Sequence, residues 1–115
     1  EKYSDSDKTD ALRALNYIDE HYAEPLTLET MANHFHMNSS YFSSYFKKNT
    51  GKNFKEYLIS VRLQHALQLL VSTNMHNYEI ADAVGFNDIR SFTDQFQKIY
   101  HKTPQAYRKE LRQEV

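Results

Sequence analysis

Apolar residues recur along this chain at the spacing of helix faces. A first stripe of Leu12, Leu15, Ile18 and Tyr22 has helical spacing and predicts a leading helix. This helix is expected to end before Pro25, because proline disfavours helical geometry in the residue that precedes it.

The longest apolar stripe predicts one continuous connecting helix over about residues 53–71, a stretch with neither glycine nor proline. The residues of this stripe are Phe54, Tyr57, Leu58, Val61, Ala66, Leu69 and Leu70. At 1.5 Å per residue such a helix is roughly 27 Å long.

The chain also contains an internal repeat, with an offset of 49 that becomes 50 after one inserted residue. The aligned pairs include Met31 with Ile80, Ala32 with Ala81, Phe35 with Val84, Asn38 with Asn87, Phe42 with Phe92, Phe46 with Phe96, Lys48 with Lys98, Lys52 with Lys102 and Tyr57 with Tyr107. The same structural unit is therefore expected twice, over about residues 27–50 and 77–99.

Each repeat has the pattern of two helices joined by a tight turn. In the first repeat, Thr27 is a suitable N-cap for a short amphipathic helix, and Asn38 is a suitable N-cap for a second helix whose inward residues are Phe42, Tyr45 and Phe46. Asn87 is expected to repeat the second cap. Two helices joined by a three-residue turn form a helix-turn-helix.

The two glycines lie where the chain must change direction, and each has a histidine as its repeat mate. His36 aligns with Gly85, and His101 aligns with Gly51. Because glycine is favoured at positive φ and histidine is among the residues that tolerate it, we predict a positive φ at both histidines.

The composition agrees with one helical domain. Two glycines and two prolines in 115 residues are too few turn formers for a many-stranded sandwich or barrel. Thr103 is a suitable N-cap and Pro104 a suitable first-turn residue for a final helix over about 103–112. The predicted fold class is all-α: seven helices forming two homeodomain-like helix-turn-helix subdomains joined by the connecting helix. We expect a polar leader or linker at residues 1–9 and the domain at 10–115.

Charge is distributed unevenly although the net charge is only −1. Residues 1–29 hold eight acidic and three basic residues, a net charge of −5, whereas residues 30–115 hold seven and eleven, a net charge of +4. No acidic residue lies between Glu29 and Glu56, and four lysines fall in that window. This basic patch favours a nucleic-acid partner, although a solvated helix face is the alternative.

Other classes of function find little support. The chain has no cysteine, which excludes a thiolate metal site and a disulfide and indicates a reducing compartment, the cytoplasm. No apolar run is long enough for a membrane span. No histidine pair has the i, i+4 spacing of a helical zinc site and no nucleophile motif stands out, so we expect no enzyme, metal or cofactor. A helical protein-interaction module without DNA binding is the rival function.

The chain resembles the DNA-binding domain of the AraC/XylS family of bacterial transcription regulators. The resemblance covers about residues 10–110 and rests on the strings LTLETMANHFHMNSSYFSSYFKKNTGKNFKEYL, VRLQHALQLL and EIADAVGFNDIRSFTDQFQKIYHKTPQAYR. The family usually has glycine at His36 and His101 and an aliphatic residue at Asn77. It implies a transcription factor, expected to be an activator, that reads two adjacent major-groove segments, contacts RNA polymerase and has an N-terminal sensor or dimerisation domain outside this chain.

The second helix of each repeat, which we call a reader helix, supplies the predicted base contacts. These residues are Ser40, Tyr41, Ser43 and Ser44 in the first reader helix and Arg90, Ser91 and Asp94 in the second. The resemblance implies the role of the three serines of the first helix, for which simple exposed serines are the alternative. Arginine can bind guanine bidentately, whereas a carboxylate must accept from cytosine or orient a neighbouring arginine. An exposed Arg90–Asp94 ion pair is the alternative.

Phosphate contacts are expected from lysines and from residues at the helix N-termini. The predicted set is Asn38, Lys47, Lys48, Lys52, Arg62, Asn87, Lys98 and Lys102. Arg62 has an equally supported alternative, a structural bridge from the connecting helix to a carboxylate. The connecting helix is close in length to the ~34 Å of one DNA turn that separates two readers on one DNA face.

Overall fold

The structure, a computed structural model, describes the backbone of residues 2–113 and the side chains of residues 9–112. Within this range the chain forms helices and no strands, which confirms the predicted all-α fold with seven helices. The helices are α1 (Lys2–His21), α2 (Leu28–His34), α3 (Ser39–Thr50), α4 (Phe54–Ser72), α5 (Asn77–Ala83), α6 (Ile89–Tyr100) and α7 (Pro104–Gln113). Helix α1 thus extends through residues 2–9, where the sequence indicated a polar leader; the domain boundary itself stays a prediction.

The chain divides into two compact units, residues 1–61 and 62–115, and the division falls inside α4. We call them the N-terminal unit and the C-terminal unit. Each unit contains one helix-turn-helix repeat: α2 and α3 in the first, α5 and α6 in the second.

Aromatic rings form the centre of the N-terminal unit. Phe42 and Phe46 of α3 are fully buried, and the ring of Phe42 lies 5.7 Å from that of Phe46 and 6.4 Å from that of Phe54. Burying such rings provides much of the free energy that holds a small core together. Helix α3 therefore presents one face to the core and leaves the opposite face to solvent.

Helix α1 contacts this core through most of the predicted stripe, but not through Leu12. Leu12 is 58% exposed, whereas Ala11 and Ala14 are buried together with Ile18. The prediction was therefore wrong for Leu12, whereas Ile18 is buried and Leu15 and Tyr22 are partly buried against the core, as predicted. The buried alanines explain why Leu12 is outside the core. Helix α1 packs closely against α3, and at this short distance a small side chain fits where a larger, more hydrophobic one does not.

A hydrogen bond also ties α1 to α4 in the N-terminal unit. The hydroxyl of Tyr57 donates to Oδ1 of Asp19 over 3.1 Å. Burial, together with this hydrogen bond and the negative charge of Asp19, raises the pKa of Tyr57 to about 12. The neutral hydroxyl is thus the form that the fold stabilises.

The C-terminal unit has an equivalent core built around α6. Phe92 and Phe96 are fully buried, and the ring of Phe96 lies 5.8 Å from that of Phe92 and 5.8 Å from that of Tyr107 on α7. The other fully buried large side chains here belong to Leu63, Leu70, Ile80, Val84 and Pro104. Each repeat therefore buries the same pair of phenylalanines in its reader helix.

The turns confirm the predicted backbone conformation of the two histidines. His36 has a φ of 59° and His101 has a φ of 64°, and their repeat mates Gly85 and Gly51 have φ values of 104° and 85°. The C-cap residues Gly51 and His101 each donate a backbone hydrogen bond to the carbonyl four residues earlier, over 2.9 Å and 2.8 Å. The same left-handed C-cap therefore ends both reader helices.

Helix caps are as predicted at three positions and different at one. Thr27 forms a capping box with Thr30, Asn38 caps α3, and Thr103 accepts from the amide of Ala106 at the start of α7. Asn87 does not cap α6, which was the prediction. The cap is Asp88, whose Oδ1 accepts from the amide of Ser91 over 2.7 Å.

Candidate nucleic-acid interface

The exposed side of α3 is polar and uncharged at its N-terminal end. Of the four predicted base-contacting residues, Ser40, Tyr41 and Ser44 are exposed, whereas Ser43 is half-buried. The Tyr41 ring stacks on that of the buried Tyr45, with centroids 6.1 Å apart. This stacking holds an exposed aromatic side chain at the first turn of the reader helix.

Asn38 holds the start of α3 through its side-chain oxygen, which accepts from the amide of Tyr41 over 2.8 Å. Only the side-chain NH₂ of Asn38 is thus left to donate to a phosphate. The cap also orients the free amides of the first turn toward solvent, where they can bind an anion.

Exposed lysines follow on the C-terminal part of α3 and just after it. Lys47, Lys48 and Lys52 are exposed. Among the residues whose side chains the structure describes, none of these three has an ion-pair partner. Their charges are therefore available to a polyanion.

The second reader helix, α6, presents a more strongly charged surface. Arg90, Ser91 and Asp94 are all exposed. Arg90 and Asp94 lie four residues apart, but the ion pairs found within residues 9–112 do not include them. The alternative of a mutual ion pair is thus not realised in this structure, and both side chains face solvent without a partner.

The remaining predicted phosphate-contacting residues of the C-terminal unit differ in their surroundings. Asn87 and Lys98 are exposed, whereas Lys102 forms an ion pair with Glu110 of α7. Arg62 is half-buried, and its guanidinium lies 5.9 Å from the centre of the Phe86 ring. Burial lowers the pKa of Arg62 from its usual value. Arg62 thus has a structural contact with an aromatic ring. Its phosphate contact and the alternative bridge to a carboxylate both stay predictions.

Sequence reasoning missed a group that organises the start of the second repeat. Arg108 of α7 donates to the carbonyls of Leu70, Met75 and Thr73 over 3.1, 2.7 and 3.3 Å. Arg112 donates to the carbonyl of Thr73 and to Oδ1 of Asn74, over 3.1 and 2.8 Å. We call these two side chains the arginine clamp. Hydrophobic periodicity did not mark these contacts, because their acceptors are mostly backbone carbonyls, although Arg108 is the last residue of a string that carries the family resemblance.

Polar contacts hold the segment that leads into α5. Asn77, where the family usually has an aliphatic residue, is the first residue of α5 and is half-buried. The segment that leads into α5 is held by the arginine clamp, and the amide of His76 donates to Oε1 of Glu79 over 2.7 Å. Polar contacts thus position the start of α5, in addition to the burial of Ile80 and Ala81 in this helix.

Within the described part of the chain, no three histidine, aspartate or glutamate side chains converge in a way that could hold a metal ion. None of the helices described for residues 2–113 has the length and apolar character needed to cross a membrane.

Known proteins share this architecture. Residues 31–110 match the family described as "Helix-turn-helix domain". The C-terminal domain of the two-component response regulator YesN of Fusobacterium nucleatum has 39% sequence identity and a TM-score of 0.84, over 87% of this chain and 98% of that one. The DNA-binding domain of AdpA, solved in complex with a target DNA, has 26% identity and a TM-score of 0.86, over 90% of this chain and 94% of that one.

Curated relatives are bacterial transcription regulators. The lactose operon transcription activator of Staphylococcus xylosus is 33% identical over 99 residues, which are 86% of this chain and 36% of that protein. This chain spans about a third to two fifths of the length of such relatives. Together with the two helix-turn-helix repeats, these matches show that the chain belongs to the AraC-type family of helix-turn-helix DNA-binding domains of transcription regulators.

Proposed function

We propose that this chain recognises promoter DNA with both repeats, and that α3 and α6 each read one of two successive major-groove segments. The observation that carries the proposal is the duplication itself. In both reader helices two buried phenylalanines, Phe42 with Phe46 and Phe92 with Phe96, direct the opposite, polar face to solvent. A helix that is fixed to its own core in this way can enter a groove without losing its support.

The two reader helices are expected to contribute differently to affinity and to base discrimination. The first has serines at its base-facing positions Ser40, Ser43 and Ser44, whose hydroxyls accept or donate at many bases and so discriminate weakly. Lys47 and Lys48, which have no ion-pair partner among the described side chains, follow in the C-terminal part of the same helix. We therefore assign more of the affinity to the first repeat, through phosphate contacts, which dominate affinity for DNA.

The second repeat is expected to supply more of the base discrimination. Arg90 is exposed and unpaired, and its fork can bind O6 and N7 of a guanine, a contact that is worth about 1–3 kcal/mol of discrimination. Asp94 can accept from the N4 amino group of a cytosine. Ser91 is exposed beside them and completes the proposed base-contacting set, while Tyr41 is the corresponding contact of the first repeat.

The longer protein is proposed to be an activator. The lactose operon transcription activator among the relatives supports this proposal. The relatives described as C-terminal domains of response regulators support a further domain N-terminal to this chain. Such a protein would contact RNA polymerase and would carry a sensor or dimerisation domain N-terminal to this chain. Since it would act on the bacterial chromosome, we place it in the cytoplasm.

Selection of bound duplexes from a random library tests the proposal directly. We expect two enriched blocks about ten base pairs apart, the repeat of one DNA turn. Arg90→Ala should relax the sequence preference of only one block, and Arg90→Lys, which keeps the charge but not the fork, should relax the same block with a smaller loss of affinity. Absence of any gel-mobility shift at low salt would instead favour a protein-interaction module.

A further inference from the structure

An apolar side chain lies exposed at the start of the second reader helix. Ile89 is the first residue of α6 and is 41% exposed. The large apolar side chains that are exposed in residues 9–112 are few, and two of them, Tyr41 and Ile89, belong to the first turns of the two reader helices. The first turn of a recognition helix is the part that reaches the base edges.

The fold of the repeat does not require isoleucine at this position. The repeat mate of Ile89, at the offset of 50 that applies to the reader helices, is Ser39, and α3 forms with serine there. The start of α6 is held by the Asp88 cap, and its core contacts are made by Phe92 and Phe96. Isoleucine is also not a favourable residue for helix propensity. The helix cap and the core of the repeat therefore form without an apolar side chain at this position.

The chemistry of the major groove restricts what Ile89 can recognise. Each base pair presents hydrogen-bond donors and acceptors in this groove, and the C5-methyl group of thymine is its apolar feature. Isoleucine has no polar side-chain atom, so a donor or acceptor placed against it would lose its water without a replacement. A thymine methyl group would instead be removed from water together with the exposed part of Ile89.

We infer that Ile89 is a specificity-determining residue that contacts the 5-methyl group of a thymine in the DNA segment read by α6. The inference rests on the proposed function and adds an apolar contact to the polar contact of Arg90. Because the first repeat has Ser39 at this position, the contact belongs to the second repeat alone. It makes the two reader helices differ in chemistry as well as in charge.

Replacement of thymine by deoxyuridine tests the inference, because uracil lacks only the methyl group. The probe is the duplex selected from a random library by the unmodified chain, with each thymine of the α6 block replaced in turn. We expect one replacement to weaken binding about fourfold, the effect of losing one buried methyl group. In Ile89→Ala and in Ile89→Ser, which installs the residue of the first repeat, thymine and uracil should bind equally at that position.

Ile99→Ala is the matched control. Ile99 is 43% exposed and belongs to the C-terminal part of the same helix, away from the first turn. This variant should keep the fourfold preference for thymine at the position that Ile89 reads. Urea unfolding of all three variants should give free energies of unfolding close to that of the unmodified chain, as expected for surface substitutions.

Several outcomes would overturn the inference. They are a selected α6 block without thymine, equal binding of uracil and thymine duplexes by the unmodified chain, and an unchanged preference in both Ile89 variants. A marked loss of folding stability in both Ile89 variants but not in Ile99→Ala would assign Ile89 to packing instead. Failure of the proposed function is distinguishable, because the library would then give no enriched duplex at all.

Discussion

At the scale of single residues, the helix caps show how one inserted residue changes which residue caps a helix. The repeat aligns at an offset of 49 up to Asn87 and at 50 from the reader helices onward. Asn38 caps α3, and the residue 50 positions later is Asp88, which has extended backbone geometry and caps α6. The insertion therefore lengthens the turn between α5 and α6 by one residue, before the cap of α6. Sequence similarity alone favoured Asn87 because the residue type matched.

We predict that Asp88→Ala destabilises the chain by about 1 kcal/mol, because the amide of Ser91 loses its acceptor at the start of α6. Urea unfolding followed by circular dichroism measures the change. Asn87→Ala is the matched control and should alter the free energy of unfolding by no more than a few tenths of a kcal/mol. Asp88→Asn, which keeps an acceptor oxygen, should stay close to the unmodified chain. A larger loss in Asn87→Ala than in Asp88→Ala would restore the original assignment.

The left-handed histidines show the opposite case, in which sequence reasoning succeeded. His36 and His101 were identified because their repeat mates are glycines, and both have positive φ. The prediction worked because a turn of given length between two helices has few backbone solutions. A local constraint of this kind can be derived from the repeat without knowledge of the tertiary contacts.

At the scale of helices, the arginine clamp connects α7 with the segment between α4 and α5. The carbonyls that accept hydrogen bonds from Arg108 belong to the last turn of α4 and to the residues after it. Carbonyls at a helix C-terminus lack hydrogen-bond donors within the helix and carry partial negative charge. A guanidinium group donates the missing hydrogen bonds and its positive charge offsets this partial charge. Helix α7 thus contributes to positioning α5, and α5 supports the second reader helix.

Arg108→Ala should destabilise the chain by about 2 kcal/mol, since three hydrogen bonds from a charged donor are lost. Arg108→Lys should recover only part of this, because an ammonium group lacks the planar fork. Thermal unfolding measures the loss of stability, and hydrogen exchange of the amides in α5 should become faster. The neighbouring exposed residue offers the control: Lys109→Ala should leave both measurements unchanged. Equal stability of Arg108→Ala and the unmodified chain would show that the clamp is dispensable.

At the scale of the whole molecule, the distribution of charge matters more than its sum. The net charge of −1 does not suggest a DNA-binding protein. However, Lys48 and its repeat mate Lys98 are both exposed and unpaired among the described residues, whereas Lys102 is held by Glu110. The free lysines therefore recur in the two repeats with the same register. A lysine at the same position of both repeats favours the interpretation that the two lysines each contact a phosphate.

The salt dependence of DNA binding tests this assignment. A plot of the logarithm of the binding constant against the logarithm of salt concentration has a slope of about −0.9 per neutralised phosphate. Lys48→Ala and Lys98→Ala should each make the slope less negative by about 1. Lys55→Ala removes an exposed lysine that is not in the proposed set, and it should leave the slope unchanged. Identical slopes for all three variants would contradict the phosphate assignment.

The sequence by itself determined the features that depend on local periodicity and on the repeat. These are the helices, the duplicated helix-turn-helix, the buried phenylalanines of the reader helices and the left-handed turn residues. Each depends on residues close together in the chain, whose geometry a helical period or a tight turn restricts. The base and phosphate contacts assigned to named residues stay predictions.

Only the tertiary structure decided that alanines and not Leu12 lie in the core face of α1, which residue caps α6, and where Arg62 and Arg108 find their partners. Ala11 and Ala14 are buried instead of Leu12 because the distance between packed helices selects the side chain that fits. Arg108 contacts carbonyls more than 30 residues earlier, at separations of 33, 35 and 38 residues. Such contacts depend on the positions of backbone groups in space, and backbone groups are the same in every residue, so no sequence pattern marks them.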